Sequence, residues 1–306
     1  MIRALRRLGR SCATMVWFRT VPRTDSVHLI RVSRVFFDPA DARARWLRRS
    51  AGVTQPAVTW LCCQLVARVR PTVAIDVGAN YGDVALSTRY PPGARVLLVE
   101  ANPSLIPHLR RSCSTHVNAS ALVVEGCFAS DSNGEVTLVV DEKWSGTSSS
   151  VMPVVDSPFK GTGEQSHRDV LVPTRTIGQL LERLAPERDG SLIAKIDVEG
   201  AEPKVLAGMR HTLEKRNDWA VLLECNQDHL RRGGIAEADY LQTLRSLGEV
   251  RLLRGTGSLA PLRNLAEVPE RGGDLLVTSR TARMAGIAES LRSPAPGPAI
   301  FRPTVS

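Results

Sequence analysis

From position 72 the chain alternates short apolar runs with stretches of helical periodicity. The runs are "TVAIDV", "RVLLVE", "ALVVEG", "LIAKIDV", "AVLLE", "EVRLL" and "DLLVT". Each is apolar at consecutive positions, the pattern of a strand covered on both faces. Helices are predicted between them at about 82–89, 103–113, 176–185, 201–215 and 235–247. Strands alternating with helices specify an α/β fold: a doubly wound, mostly parallel sheet of seven strands with helices on both faces. Ligands of such sheets sit at the carboxyl ends of the strands.

Upstream, residues 1–38 read as a basic, irregular arm, followed by helices at about 39–50 and 56–69 that make up 39–70. Pro56 suits a first helical turn, and Pro71 stops the second helix. The domain proper is placed at 71–282, with a Pro-rich tail, 283–306. One interruption falls at 134–176: strand, Gly/Ser-rich loop, strand. Loops this long inside a domain commonly serve function, and this one is expected to shape an acceptor pocket.

Composition narrows the class. With 43% apolar and 23% charged residues in 306, the chain is an ordinary globular protein, and no apolar run reaches the ~20 residues of a membrane span. The excess of Lys+Arg (40) over Asp+Glu (31) is concentrated before residue 70. A basic flank suits nucleic acid, membrane phosphate or an acidic substrate, or is a solubilising arm. Without an aromatic-interleaved basic stripe, nucleic acid is not expected as a partner. The acid-free start has the composition of a transit peptide, whereas apolar core and cleavage site are too weak for secretion. Six scattered cysteines form no CxxC pair, so reduced thiols and a cytoplasmic location are expected. No metal is assigned, and oligomeric state is left open.

Two stretches carry chemistry. In "AIDVGANYGD" a strand ends at Asp76, and Gly78, Asn80 and Gly82 follow at alternate positions. Gly78 and Gly82 let a ligand approach the backbone, and a following helix would offer free N–H groups to an anion. The pattern is not GxGxxG. An acid beside a pyrophosphate costs free energy, whereas the ammonium and sulfonium of S-adenosylmethionine favour a carboxylate, so Asp76 discriminates between the two cofactors. Glu100, at the end of the second strand and 20 residues on, suits ribose hydroxyls of either one. Asp131, in "ASDSNG", is placed either to accept from an adenine amino group or to make a plain turn.

In "LIAKIDVEGAEP", period two puts Lys195, Asp197 and Glu199 on one strand face. They form either a network that neutralises itself or a site that binds and deprotonates a substrate hydroxyl. Glu224 and Asn226 end the next strand at the same rim, and Asp197, Glu224 and Asn226 also make an oxygen set for Mg²⁺. His167 and His229 are further candidate bases.

With both stretches in hand, the chain resembles the FkbM family of S-adenosylmethionine-dependent methyltransferases. The likeness rests on "AIDVGANYGDVAL", "VLLVEANP", "GCFASDSNGEVTLVV", "GTSSSV", "TRTIGQLL", "LIAKIDVEGAEPKVLAGM" and "VLLE", in family order over roughly 72–226. It implies a Rossmann-like methyltransferase fold and methylation of a hydroxyl on a sugar or secondary metabolite. Carried over, the S-adenosylmethionine positions are Asp76, Gly78, Asn80, Gly82, Glu100 and Asp131. Asp197 and Glu199 lie at the active centre with Lys195, and the substrate-side candidates are Glu224, Asn226 and His167. Tyr81, Asp83 and "VEANP" for the more usual "FEPNP" are the departures. The competing readings are a nicotinamide-dependent oxidoreductase and a non-catalytic cofactor-binding module.

Overall fold

A computed structural model describes residues 24–29, 32–142, 144–147, 167–184, 190–255, 257–270 and 272–291. The basic start, most of the Gly/Ser-rich loop and the end of the Pro-rich tail lie outside them. The first described segment departs from expectation. Within the stretch read as irregular, β1 (Ser26–Leu29) and β2 (Ser33–Phe36) pair antiparallel. Leu29, Val35 and Phe37 are buried, and the Phe36 N–H donates to Ser112 Oγ at 2.8 Å. The basic residues in this region hid an alternating apolar pattern.

Helices α1 (Ala42–Arg49) and α2 (Pro56–Val69) follow. Asp41 caps α1 by accepting the Arg43 N–H, and Pro56 opens α2. Then come β3 (Val73–Val77), β4 (Arg95–Glu100), α3 (Ile106–Ser114), β5 (Leu122–Gly126), β6 (Phe128–Ala129) and β7 (Gly134–Asp141). The rest are β8 (His167–Arg175), α4 (Ile177–Leu184), β9 (Leu192–Ile196), α5 (Glu202–Glu214), β10 (Trp219–Cys225), α6 (Gln227–Arg232), α7 (Glu237–Leu247), β11 (Glu249–Leu253), β12 (Leu259–Pro261), β13 (Gly273–Thr278) and α8 (Ala282–Ser290).

The main sheet has eight strands in the order β12-β11-β13-β10-β9-β3-β4-β5. The run from β10 to β5 is parallel, and β13, β11 and β12 join antiparallel. The expected seven strands are all present, and short β12 is added at the edge. Strand order reverses between β3 and β9, which places the crevice at their carboxyl ends.

Two apolar layers cover the sheet, and strand alternation assigns every side chain to one of them. Val73, Ile75, Val77, Leu192, Ala194, Ile196, Val221 and Leu223 pack under α4, α5 and α7. Ala74, Val96, Leu98, Ile193, Ala220 and Leu222 face α1, α2, α3 and α8. Continuing the second phase toward the carboxyl ends reaches Asp76, Glu100, Lys195 and Glu224. One sheet face therefore changes from hydrocarbon to charge at the crevice. The smaller sheet, β6-β8-β7, folds over this edge and packs Phe128, Leu138 and Val140 near Val198 and Ala201.

The helix expected at 82–89 does not form; only a 3₁₀ turn, Ala85–Ser87, is present. Gly82 is left-handed at φ 84°, and the Ser87 hydroxyl donates to the Asp83 carbonyl at 2.6 Å. Pro91 and Pro92 then bar extension. No extended row of free helix N–H groups faces the crevice from this turn.

Candidate functional site

The turn after β3 rests on two left-handed residues, Gly78 at φ 75° and Asn80 at φ 51°. A Cβ on Gly78 would stand 1.8 Å from the Asp197 carbonyl oxygen, so only glycine lets the turns after β3 and β9 meet. Asn80 joins three segments. Its N–H donates to Glu100 Oε2 at 2.7 Å, and its amide donates to the Ser145 carbonyl at 2.9 Å. The Ser145 N–H in turn reaches Asp41 Oδ1, and the Tyr81 hydroxyl donates to Asp41 Oδ2 at 2.7 Å. Residues 145–147 are thereby fastened over the crevice.

One cleft results. Gly78, Asn80 and Glu100 form one side, and Asp197, Glu199 and Glu224 form the other. Val99, Ala101, Cys127, Phe128, Ala129 and Leu138 make an apolar end, and Arg43, Gln55 and Ser145 close the top. Four carboxyl groups thus face a space whose lining, among the described residues, holds one cation, Arg43. Glu100 is buried, and its Oε1 also accepts the Asn102 N–H at 2.7 Å. Burial pushes its carboxyl upward and these two N–H groups pull it back.

Asp76 is not among the lining groups. It is 3% exposed, and its Oδ1 lies 3.2 Å from Lys195 Nζ, directly opposite on β9. Lys195 also lies 3.4 Å from Asp197 Oδ2 and 3.5 Å from the Gly78 carbonyl. Burial opposes its charge, but Asp76 and Asp197 outweigh that and hold the ammonium well above its ordinary range. The charge of Asp76 is answered inside the protein, and its carboxyl group lies behind the cleft wall rather than among the lining groups expected to meet a sulfonium. Lys195 shares that place and holds the wall without reaching the cleft. The self-neutralising network is therefore real, and it consists of Lys195, Asp76 and Asp197 without Glu199.

Asp197 stands at the surface of this network. The Gln55 amide donates to its Oδ2 at 3.0 Å. Burial works against its charge, yet Lys195, Gln55 and Arg43 keep its carboxyl below the ordinary value. Glu199 is different because β9 ends at Ile196 and Glu199 adopts φ 53°. Strand alternation no longer governs it, and its Oε2 lies 4.0 Å from His229 Nε2. Burial, Asp197 and Glu202 push its carboxyl up to about 8. Glu224 is pushed well above the carboxylate range by burial, then by Asp197 and Glu199. Donor atoms of Glu199, Glu224 and His229 all lie within 4.8 Å of one another.

Other expected residues fall elsewhere. Gly82 shapes the turn against Leu86 and Leu109 without lining the cleft. Asp131 is exposed and accepts the Ser130 and Ser132 hydroxyls, so the plain turn is its structure. Asn226 spends its oxygen capping α6, which removes it from the oxygen set pictured with Asp197 and Glu224. His167 is exposed at the start of β8, opposite Asp141 and outside the lining. Arg43, Gln55 and Ser145 line the cleft without having been expected there. None lies in a dense motif, although Gln55 directly before Pro56 marks a helix start. Among the described residues no helix is long and apolar enough to cross a membrane.

Solved structures with similar folds include a putative O-methyltransferase from Klebsiella pneumoniae (11% identity, TM-score 0.41, covering 74% of this chain and 80% of that one). Another is a methyltransferase from Geobacter sulfurreducens (15%, 0.39, 89% and 96%). A third is an O-methyltransferase from Bacillus cereus in complex with SAH (10%, 0.41, 77% and 88%). No curated protein matched significantly. The assignment rests on the family comparison, in which residues 76–251 match the Methyltransferase FkbM domain. That span runs from Asp76 through both motif turns to β11, more than half of the chain, so this protein belongs to the FkbM methyltransferase family and is an S-adenosylmethionine-dependent methyltransferase.

Proposed function

We propose that the protein methylates a hydroxyl oxygen on a sugar or secondary metabolite. The observation that carries this reading is the lining of the cleft: four carboxyl groups, Glu100, Asp197, Glu199 and Glu224, with Asp197 held ionised, and Arg43 as the one cation among the described residues. Such a lining suits a donor bearing an ammonium and a sulfonium and disfavours a pyrophosphate.

S-adenosylmethionine fits the residues present. Glu100 would hold its ribose hydroxyls, the apolar end from Val99 to Leu138 its adenine, and Gly78 with Asn80 its amino-acid part, with Arg43 answering the carboxylate. Bound there, it supplies an electrophilic methyl group. Around the acceptor, Glu199, Glu224 and His229 hold and orient the hydroxyl, and its proton leaves to solvent as the oxygen bonds to carbon. Lys195 keeps Asp197 ionised and in place, and residues 145–147 limit water. We place the protein in the cytoplasm, a reading supported by five cysteines that are free thiols among the described residues.

Thermal shifts with S-adenosylhomocysteine and with NAD test the cofactor class. Stabilisation by NAD alone would sink the reading. Incubation with labelled S-adenosylmethionine and pooled sugar or secondary metabolites should then yield an alkali-stable methyl ether. Label found only in alkali-labile esters or in nitrogen products would remove the hydroxyl acceptor.

A further inference from the structure

The cluster at the acceptor side of the cleft is built from three separate elements. Glu199 comes from the turn after β9, Glu224 from the end of β10 and His229 from α6. Gly200 seats this turn against α6: a Cβ there would stand 3.3 Å from His229 Cβ. The Asn226 cap fixes the start of α6, so the imidazole is carried to the carboxylates by a short capped segment. The Glu224 Oε2 atom is buried and receives no hydrogen bond. An acceptor oxygen in that position costs free energy unless something positive reaches it.

Spacing points to what reaches it. His229 Nε2 and Glu199 Oε2 are 4.0 Å apart, beyond hydrogen-bond length. All three donors fall within 4.8 Å of one another. Ligands about 2.1 Å from a shared cation lie roughly 3–4 Å from each other, so shifts of about 1 Å close the set. The donors form a two-carboxylate, one-imidazole set, and Glu199 and Glu224 also line the cleft, leaving further positions open to it. The mixture of hard oxygens with one nitrogen selects a divalent metal that accepts both, Mn²⁺ before Ca²⁺ or Mg²⁺.

We infer that Glu199, Glu224 and His229 form a binding site for one divalent metal ion, with Mn²⁺ as the fitting representative. The inference deepens the hydroxyl-transfer reading and rests on it for its consequence. With the ion in place, the cluster acts on the acceptor hydroxyl through the metal, as a Lewis acid that makes the proton easier to lose to solvent. Lys195 Nζ lies 3.4 Å from Asp197 Oδ2 and is not a member of the set.

The test uses the full chain stripped with EDTA and titrated with MnCl₂, followed by calorimetry and by the electron paramagnetic resonance of free Mn²⁺. One ion binds per chain. His229→Gln and Glu224→Gln, each confirmed folded by circular dichroism, weaken binding by about tenfold or more, since even outer-sphere partners are worth that much. Asp131→Asn, an exposed acid outside the cleft, leaves it unchanged. Absence of stoichiometric binding of Mn²⁺, Mg²⁺ and Zn²⁺ overturns the inference, as does Mn²⁺ binding that His229→Gln leaves intact. S-adenosylhomocysteine binding is measured in EDTA on the same protein. If it binds and the metals do not, the metal site alone is refuted. If Mn²⁺ binds with the expected variant pattern and S-adenosylhomocysteine does not, the metal site stands and the donor reading falls.

Discussion

Replacing Lys195 by Met should be among the most destabilising changes at the cleft, and Asp76→Asn clearly milder. Lys195 Nζ lies 3.2 Å from Asp76 and 3.4 Å from Asp197, with both Lys195 and Asp76 below 10% exposure. At an effective dielectric near 20, each attraction is worth about 5 kcal/mol before desolvation is counted. Burying the ions offsets much of that, so the pair is no measure of net gain. Removing the lysine, however, strands two carboxylates, and losing one partner of a buried set costs about 3–5 kcal/mol. Asp76→Asn leaves Lys195 with Asp197 and the Gly78 carbonyl, and should cost about 1–3 kcal/mol. The double variant should recover part of the lysine loss, because an amide is cheaper than a carboxylate to leave behind. Urea unfolding at neutral pH, read by the fluorescence of buried Trp219, measures all three. Equal stability of Lys195→Met and the parent, or a larger loss from Asp76→Asn, would refute the reasoning. Folded Asp76→Asn should also bind S-adenosylhomocysteine within about threefold of the parent, because Asp76 does not line the cleft. A tenfold loss would return Asp76 to the ligand.

Glu100→Gln should weaken S-adenosylhomocysteine binding by about 1–3 kcal/mol, since it replaces one of two oxygens that hold the Asn80 and Asn102 N–H groups; unchanged calorimetric affinity would contradict this. Glu202 accepts the Val198 and Gly200 N–H groups, and burial pushes its carboxyl from 4.5 up to about 7. Because the folded value is the higher one, Glu202 costs the fold nothing below pH 4.5, and the cost grows to about 3 kcal/mol as pH rises through 7. Glu202→Gln should therefore help stability more at pH 8 than at pH 5, and an equal effect at both would count against the shift. Gly78→Ala should cost at least about 3 kcal/mol, from a left-handed φ of 75° and a Cβ 1.8 Å from the Asp197 carbonyl; a thermal midpoint near that of the parent would count against that backbone contact.

Legible along the chain were the seven main strands, most of the covering helices and the two turns that hold the cleft. The helix read at 82–89 is instead a 3₁₀ turn, and α8 forms largely inside the stretch read as a Pro-rich tail. The parts that were legible depend on local physics. Apolar runs alternating with helical stretches specify a mostly parallel sheet, Pro56 and Pro71 bound a helix, and Gly78 permits a backbone approach that a side chain forbids. Period two placed Lys195 and Asp197 on one strand face, and the assembled sheet brings Asp76, Glu100 and Glu224 into the same phase as Lys195. Which charges meet follows from the assembled sheet. Strand register sets Lys195 opposite Asp76 across the β3–β9 boundary, and that turned the acid most suggestive of a cationic ligand into an internal counter-ion. Arg43, Gln55 and Ser145 reach the cleft from outside the motifs, and Glu199 leaves the strand phase at φ 53° to meet His229 and Glu224. Period and propensity are written residue by residue along a chain. Pairing across a sheet and the direction of a side chain after a strand ends belong to the assembled fold.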